Sequence, residues 1–160
     1  MTGTYSNQVL DIDKHYNFFN PKGGVSYTNG AHRAYASVAL SHREPERNNF
    51  TDNYNYPAPV AESLIDYEAG YQLNAGKVRA GVNLYYMDYR NQFVQTGQVS
   101  DIGENLTTNI AKSYRAGAEL TLAWDVTRWL TLEGNAALSA NRILDFDEYV
   151  EDWDDGGFRV

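Results

Sequence analysis

The segment Glu62–Val94, ESLIDYEAGYQLNAGKVRAGVNLYYMDYRNQFV, restricts the fold most, because apolar and polar residues alternate along two long arms. Successive side chains of a strand point to opposite faces, so each arm has an apolar and a polar face. The arms meet at Asn74-Ala75-Gly76-Lys77, a combination typical of tight turns. The apolar face comprises Ser63, Ile65, Tyr67, Ala69, Tyr71 and Leu73, then Val78, Ala80, Val82, Leu84 and Tyr86. This pattern predicts a long, two-faced β-hairpin.

The same plan occurs twice more. Before this segment, Phe18–Tyr27 and His32–Arg43 flank Asn29-Gly30, a strong hairpin turn signal. After it, the strands Thr107–Trp124 and Trp129–Arg142 flank a short turn at 125–128. The sequence thus predicts three consecutive hairpins.

Long polar segments separate the hairpins. Glu44–Ala61 contains Pro45, Pro57 and Pro59 and is predicted to be a loop, as is Gln95–Leu106. The end of the chain, from Ile143, is acidic and predicted to be irregular. Short and long connections therefore alternate, which predicts an all-β, antiparallel up-and-down meander of about six long strands.

Two architectures fit two-faced strands of this kind. In a soluble β-sandwich or a lipocalin-like ligand-binding module, the apolar faces form the core and the polar faces meet water. In a section of a transmembrane β-barrel, the apolar faces meet lipid and the polar faces line the lumen. A third class, a carbohydrate-active or other enzyme built on a β-sheet, would need convergent carboxylates in a pocket.

Three features favour the barrel. Strands of about 12 residues reach about 40 Å, or roughly 30 Å after a barrel tilt, whereas globular strands average about 5–6 residues. Short turns alternate with long loops, as they do in outer-membrane barrels. Aromatic residues also fall near strand ends, which suits girdles at the two membrane interfaces. These are Tyr27, Tyr67, Tyr71, Tyr86, Tyr114, Trp124 and Trp129.

Charge and composition exclude several classes of function. A net charge of −8 in 160 residues argues against nucleic acid as a partner, since phosphate binding needs clustered Lys and Arg. The absence of Cys excludes disulfides and thiolate chemistry. There is no apolar run long enough for a transmembrane helix, and the first residues do not have the pattern of a signal peptide.

The chain shows no catalytic, cofactor-binding or metal-binding motif, so we expect a protein that is not an enzyme and needs no cofactor. GxSxG, GxGxxG and P-loop patterns are missing, and His15, His32 and His42 lack metal-ligand spacing. The polar faces carry charges that we expect to pair across strands in a wet interior, for example Glu68 with Arg79. The charged residues are Asp66, Glu68, Arg79, Arg115, Glu119 and Glu133.

Three stretches together resemble the late barrel strands of TonB-dependent outer-membrane receptors. They are SHREPERNNFTDN (41–53), ESLIDYEAGYQL (62–73) and VNLYYMDYRNQFVQTGQVSDIGENLTTNIAKSYRAGAEL (82–120). The resemblance covers roughly residues 20–155. It implies a location in the outer membrane of a Gram-negative bacterium. It also implies a receptor and transporter built as a plugged barrel of about 22 strands, importing an iron siderophore or a similar nutrient.

The resemblance also implies the partners. They are outer-membrane lipid, the remaining strands and plug domain of the parent receptor, TonB, and the ferric siderophore or other nutrient. We expect residues 1–160 to form one partial barrel domain, a fragment without a plug domain or signal peptide. TonB would then be contacted through the missing N-terminal part. Six strands alone would leave open edges in lipid, where unpaired backbone groups are costly.

One polar loop is the candidate ligand-binding site. In the family this resembles, outer loops help to capture the ligand, and Arg with aromatic residues suits an anionic iron chelate. The candidate residues are Arg43, Arg47, Asn49, Tyr54 and Tyr56.

Overall fold

Six strands form one antiparallel sheet in which each strand pairs with the next along the chain. The computed structural model describes residues 13–51, 57–99, 103–144, 150–152 and 157–159. The strands are β1 (Lys22–Asn29), β2 (His32–Arg43), β3 (Glu62–Ala75), β4 (Val78–Val99), β5 (Asn105–Asp125) and β6 (Thr131–Leu144). The predicted all-β, up-and-down meander is therefore confirmed.

Tight turns connect the strands at one end of the sheet. Gly30 and Gly76 have φ angles of 57° and 59°, which residues with a side chain rarely adopt, so each can close its two-residue turn without strain. The two turns lie side by side, because the backbone N–H of Asn74 donates to the carbonyl of Ala31 at 2.8 Å. Both turns fall where the sequence predicts them.

At the opposite end the structure departs from the prediction. The predicted loop Gln95–Leu106 is largely wrong, since β4 continues to Val99 and β5 begins at Asn105. The register between these strands shifts between Gln95 and Val99, where Gly97 adopts a φ of 81°. The hydroxyl of buried Thr96 donates to the carbonyl of Leu106 at 3.2 Å and holds the irregular part closed. The extended ends of β4 and β5 are mostly polar on both faces. Alternation of apolar and polar residues therefore does not predict them as strands.

Two smaller elements also lie in segments predicted to be irregular. A short helix, α1 (Arg47–Thr51), follows β2 within the predicted loop. Near the end of the chain, β7 (Val150–Asp152) pairs with β8 (Gly157–Arg159).

The first strand starts later than predicted, at Lys22, directly after Pro21, which has no N–H for the sheet.

The two faces of the sheet differ in exposure in a way that indicates curvature. In the middle of β2, β3 and β4, side chains on the polar face are half-buried, whereas those on the apolar face are exposed. Leu84 is 50% exposed and Leu138 73%. A sheet that is concave on its polar face crowds that face and spreads the other. This is the arrangement of a barrel wall and the opposite of the sandwich alternative, in which the apolar face would be covered.

Within the described residues, β1 and β6 are the outer strands of the sheet. Every residue of both strands is exposed. None of the described helices is long and apolar enough to cross a membrane.

Candidate functional site

The candidate ligand-binding residues lie at the end of the sheet away from the tight turns. Arg43 is the last residue of β2, and α1 follows it after three residues. The extended ends of β4 and β5 stand beside this segment, with α1 close to β5. Tyr54 and Tyr56 lie outside the described residues, so the structure places three of the five candidates.

Arg43 is engaged by residues of its own chain. Its guanidinium lies 3.3 Å from the Glu62 carboxylate, its register partner on β3, and 5.2 Å from the centre of the Phe93 ring. The same carboxylate oxygen accepts a hydrogen bond from the backbone N–H of Phe93 at 2.9 Å. Arg43 thus ties β2, β3 and β4 together, and half of its side chain remains exposed.

Asn49 is the buried member of the set. Its side-chain oxygen accepts from the backbone N–H of Glu46 at 2.6 Å, and its amide nitrogen donates to the Thr107 hydroxyl at 2.6 Å. With only 7% of its surface exposed, Asn49 fastens α1 to β5. Asn side chains often bond to backbone three residues away, which is the local signal for such a role.

Arg47 lines a hollow of about 380 Å³ between α1 and the segment that precedes β1. The Lys14 ammonium lies over the Phe50 ring at 5.1 Å. With Arg47 and Lys14 against a single carboxylate, the lining has a net positive charge. It comprises Lys14, Tyr16, Glu44, Pro45, Arg47, Phe50 and Thr51. Aromatic walls with positively charged groups suit an anionic, partly planar ligand.

Asn109 is a further fastening residue that the sequence did not single out. Its side chain accepts from the backbone N–H of Val60 at 2.9 Å and donates to the Val60 and Asn91 carbonyls at 3.1 and 2.6 Å. Asn91 has a φ of 52°, which is unusual outside glycine. Together with Asn49, Asn109 holds the segments between β2 and β3 against β5.

The polar face is organised by tyrosines lying over glycines on the next strand. The Tyr35 ring crosses Gly70, its register partner on β3, and its hydroxyl donates to the Asn83 side chain on β4 at 2.9 Å. The Tyr85 ring lies over Gly117 in the same way. These positions favour glycine, because a Cβ atom there would overlap the tyrosine ring and displace it.

The predicted pairing of Glu68 with Arg79 is wrong. Register places Glu68 opposite Tyr85 and Arg79 opposite Asn74, so the two charges lie six residues apart along the hairpin. Arg79 instead forms a two-pronged ion pair with Asp125 on β5, at 2.8 and 3.3 Å. Glu68 accepts a hydrogen bond from Ser37 at 3.5 Å. In the described ranges, no three His, Asp or Glu side chains come close enough to hold a metal.

Aromatic residues bound the apolar face at both ends of the strands. On β5 it extends from Trp124, near the tight turns, to Tyr114. Ten residues at about 3.3 Å each give about 33 Å along the strand, which a barrel tilt reduces to about 25 Å, the height of the apolar band of outer-membrane barrels. Tyr67, Tyr86 and Tyr114 form one aromatic line across three strands, with ring centres 6.4 and 5.8 Å apart.

Residues 2–160 match the family model described as "TonB dependent receptor-like, beta-barrel". Among solved structures, the FrpB iron transporter from Neisseria meningitidis (F3-3 variant) superposes with a TM-score of 0.59 at 19% identity, over 78% of this chain and 20% of that one. The copper transporter OprC superposes with a TM-score of 0.62 at 16% identity, over 76% of this chain and 20% of that one. The chain thus spans about a fifth of the length of these structures, and at these identities the likeness shows the fold. No curated protein sequence is significantly similar to the chain.

Proposed function

Because its β-barrel model matches residues 2–160, the chain belongs to the TonB-dependent receptor family, and we propose that it forms one section of the wall of a nutrient transporter. Proteins of this family reside in the outer membrane of Gram-negative bacteria, and so does this chain. In this role the protein binds and passes a ligand rather than transforming one.

The observation that carries the proposal is the apolar band between two aromatic boundaries. Its side chains are exposed on the convex face, and its height of about 25 Å matches a bilayer's apolar interior in outer-membrane barrels. Exposed residues of the band include Leu84, Leu120, Leu122, Leu132 and Leu138. In water such a surface would favour association, whereas in lipid it needs no covering.

We further propose that the outer edges of β1 and β6 pair with other strands of the parent receptor. An unpaired backbone group in lipid costs several kcal/mol, so a membrane sheet is stable only when its edges are paired. In vesicles that hold this chain alone, we expect further copies of it to pair with the edges of β1 and β6. Residues 1–160 would then be one wall section of a larger barrel. The plug domain and the TonB contact would be supplied by other parts of that receptor.

For the ligand, we propose an anionic metal chelate such as a ferric siderophore. The support is the hollow at α1, where Lys14 and Arg47 outnumber the single carboxylate Glu44. The two similar solved structures are named as iron and copper transporters, which agrees with a metal-containing cargo. Tyr54 and Tyr56 remain proposed contributors to this site.

Lipid exposure can be tested with single tryptophans at neighbouring positions of β5. In a background where the three native tryptophans are replaced by Phe, Leu120→Trp lies on the apolar face and Thr121→Trp on the polar face. Each variant is refolded into vesicles. Brominated lipid should strongly quench the fluorescence of the tryptophan at position 120, and water-soluble acrylamide should quench that of the tryptophan at position 121. Equal quenching of both positions by lipid, or none at either, would contradict the proposed orientation.

Ligand binding can be tested on the vesicle-inserted chain with an anionic ferric siderophore. Arg47→Glu combined with Lys14→Glu should abolish quenching of intrinsic fluorescence by the chelate, because the hollow becomes negative. Arg128→Glu, at the opposite end of the sheet, is the control and should have no effect. Unchanged binding by the first variant would exclude the hollow as the ligand site.

A further inference from the structure

The apolar face ends in a row of hydrogen-bond donors. This row lies beyond the aromatic line of Tyr67, Tyr86 and Tyr114, on the side away from the tight turns. Cross-strand register aligns His42 of β2 with Ser63 of β3, Ser63 with Arg90 of β4, and Arg90 with Lys112 of β5. We name these four residues the donor row. All four lie on the convex face, which bears the apolar band, and not on the concave face of the proposed lumen.

The donor row lies at the depth of lipid headgroups. Lys112 precedes Tyr114 by two residues and lies about 7 Å farther along the strand, away from the tight turns. The headgroup region on each side of the apolar interior is roughly 5–8 Å thick. The tight turns lie at the other end, and short turns of outer-membrane barrels face the periplasm. The donor row therefore faces the outer leaflet.

Charge in the donor row is unbalanced. Arg90 and Lys112 are direct register partners, and like charges placed directly opposite on a sheet repel each other. Asp88 is the carboxylate paired with Arg90, with one oxygen 3.7 Å from Arg90 Nε. Two adjacent positive charges, Arg90 and Lys112, thus share one carboxylate, and the Arg90 side chain is 57% exposed.

We propose that the donor row binds the phosphate of an anionic lipid headgroup in the outer leaflet. A phosphate between Arg90 and Lys112 would relieve their repulsion and accept hydrogen bonds from both, with the Ser63 hydroxyl beside them. The acyl chains of the same lipid would lie along the apolar band below. A lipid fits this site better than a soluble anion because donors and apolar surface are continuous on one face. The inference rests on the proposed orientation of this face towards lipid.

The test compares lipids by spin-label electron paramagnetic resonance. The chain is refolded into phosphatidylcholine vesicles containing a trace of spin-labelled phosphatidic acid or spin-labelled phosphatidylcholine. The motionally restricted fraction then gives the relative association constant of the two lipids. We expect phosphatidic acid to be preferred, and the preference to fall on the order of fivefold for each basic residue removed in Arg90→Gln/Lys112→Gln.

Lys77→Gln/Arg128→Gln removes the same charge at the tight-turn end and is the matched control, which should retain the preference. Arg90→Lys/Lys112→Arg keeps the charges and should also retain it, provided that circular dichroism shows the same β-sheet content in all variants. An equal loss in the control, or no loss in the Gln variant, would overturn the proposal. So would displacement of spin-labelled phosphatidic acid by inorganic phosphate at constant ionic strength, which would identify a soluble-anion site. Failure of the lipid-facing orientation is distinguishable, because restricted phosphatidylcholine would then disappear as well.

Discussion

At the scale of single residues, the missing side chain of glycine and the amide side chain of asparagine decide how the sheet and its outer segment are held. Gly70 and Gly117 accept tyrosine rings from the neighbouring strand, and Asn49 fastens a short helix to a strand far along the chain. In each case the residue acts through one close approach that only tertiary structure provides.

Gly70→Ala should destabilise the folded sheet by about 1–3 kcal/mol, because the added methyl group overlaps the Tyr35 ring. Gly134→Ala on β6 is the control, since nothing lies within 4 Å of its Cβ position. Urea unfolding in vesicles measures both. In a Tyr35→Ala background the penalty at Gly70 should vanish, and a penalty that persists there would contradict the proposed overlap.

Asn49→Ala should release α1, since it removes the bonds to Glu46 N–H and Thr107. Two such bonds at about 1 kcal/mol each correspond to roughly 30-fold more opening. The rate of tryptic cleavage after Arg47 reports this opening. Asn48→Ala, at the exposed neighbouring position, should leave the rate unchanged; a similar increase there would show that helix propensity rather than the fastening controls α1.

At the scale of elements, each strand of the six-stranded sheet has an apolar row, which we propose faces lipid, and a polar row, which we propose faces the lumen. The edge strand β6 shows this most simply, because both of its rows are exposed in the isolated sheet. Solvent exposure therefore does not distinguish the two rows of β6. In the proposed membrane they would differ, because one row would meet lipid and the other water.

Leu138→Arg should destabilise the membrane-inserted sheet by about 2–4 kcal/mol, since arginine then sits near the middle of the apolar band. Ala137→Arg, one residue earlier, points to the polar face opposite Glu119 and should have little effect or stabilise slightly. Chemical unfolding in vesicles compares the two variants. Equal effects at both positions would mean that the apolar face does not meet lipid.

At the scale of the whole molecule, the sheet is open, whereas a membrane sheet must close. In the six-stranded sheet of the described part of the chain, β2, β3, β4 and β5 each have two neighbours, but β1 and β6 have one. The interior strands should thus resist opening. The outer edges of β1 and β6 present backbone N–H and C=O groups that can pair with additional strands.

Amide hydrogen exchange of the chain in detergent should therefore show a gradient. Amides of β4, each of which donates to β3 or to β5, should exchange slowly, while outward-pointing amides of β6 should exchange at rates close to those of unprotected backbone. Equal protection of β4 and β6 would show that the outer edges are paired, for example between two copies of the chain.

The sequence by itself determined the meander and its two faces, because alternation of apolar and polar residues with period two is a local property of a strand. The hairpin turns at Gly30 and Gly76 follow from backbone freedom at those residues and were predicted for the same reason. The strands around Tyr67, Tyr85 and Tyr114 resemble those of TonB-dependent receptors and so indicated this family. The family model that matches residues 2–160 shows it.

Tertiary structure decided what the pattern does not encode. The extension of β4 to Val99 has no apolar face, so alternation disappears although pairing with β5 continues. In the proposed orientation this part lies beyond the membrane, where both faces meet water. The partner of Arg79 is Asp125 rather than Glu68 because register, which depends on where each turn closes, sets the distance between charges. The donor row, likewise, exists only once four strands are aligned. Its residues, from His42 to Lys112, are separated along the chain and meet because sheet pairing brings distant positions side by side.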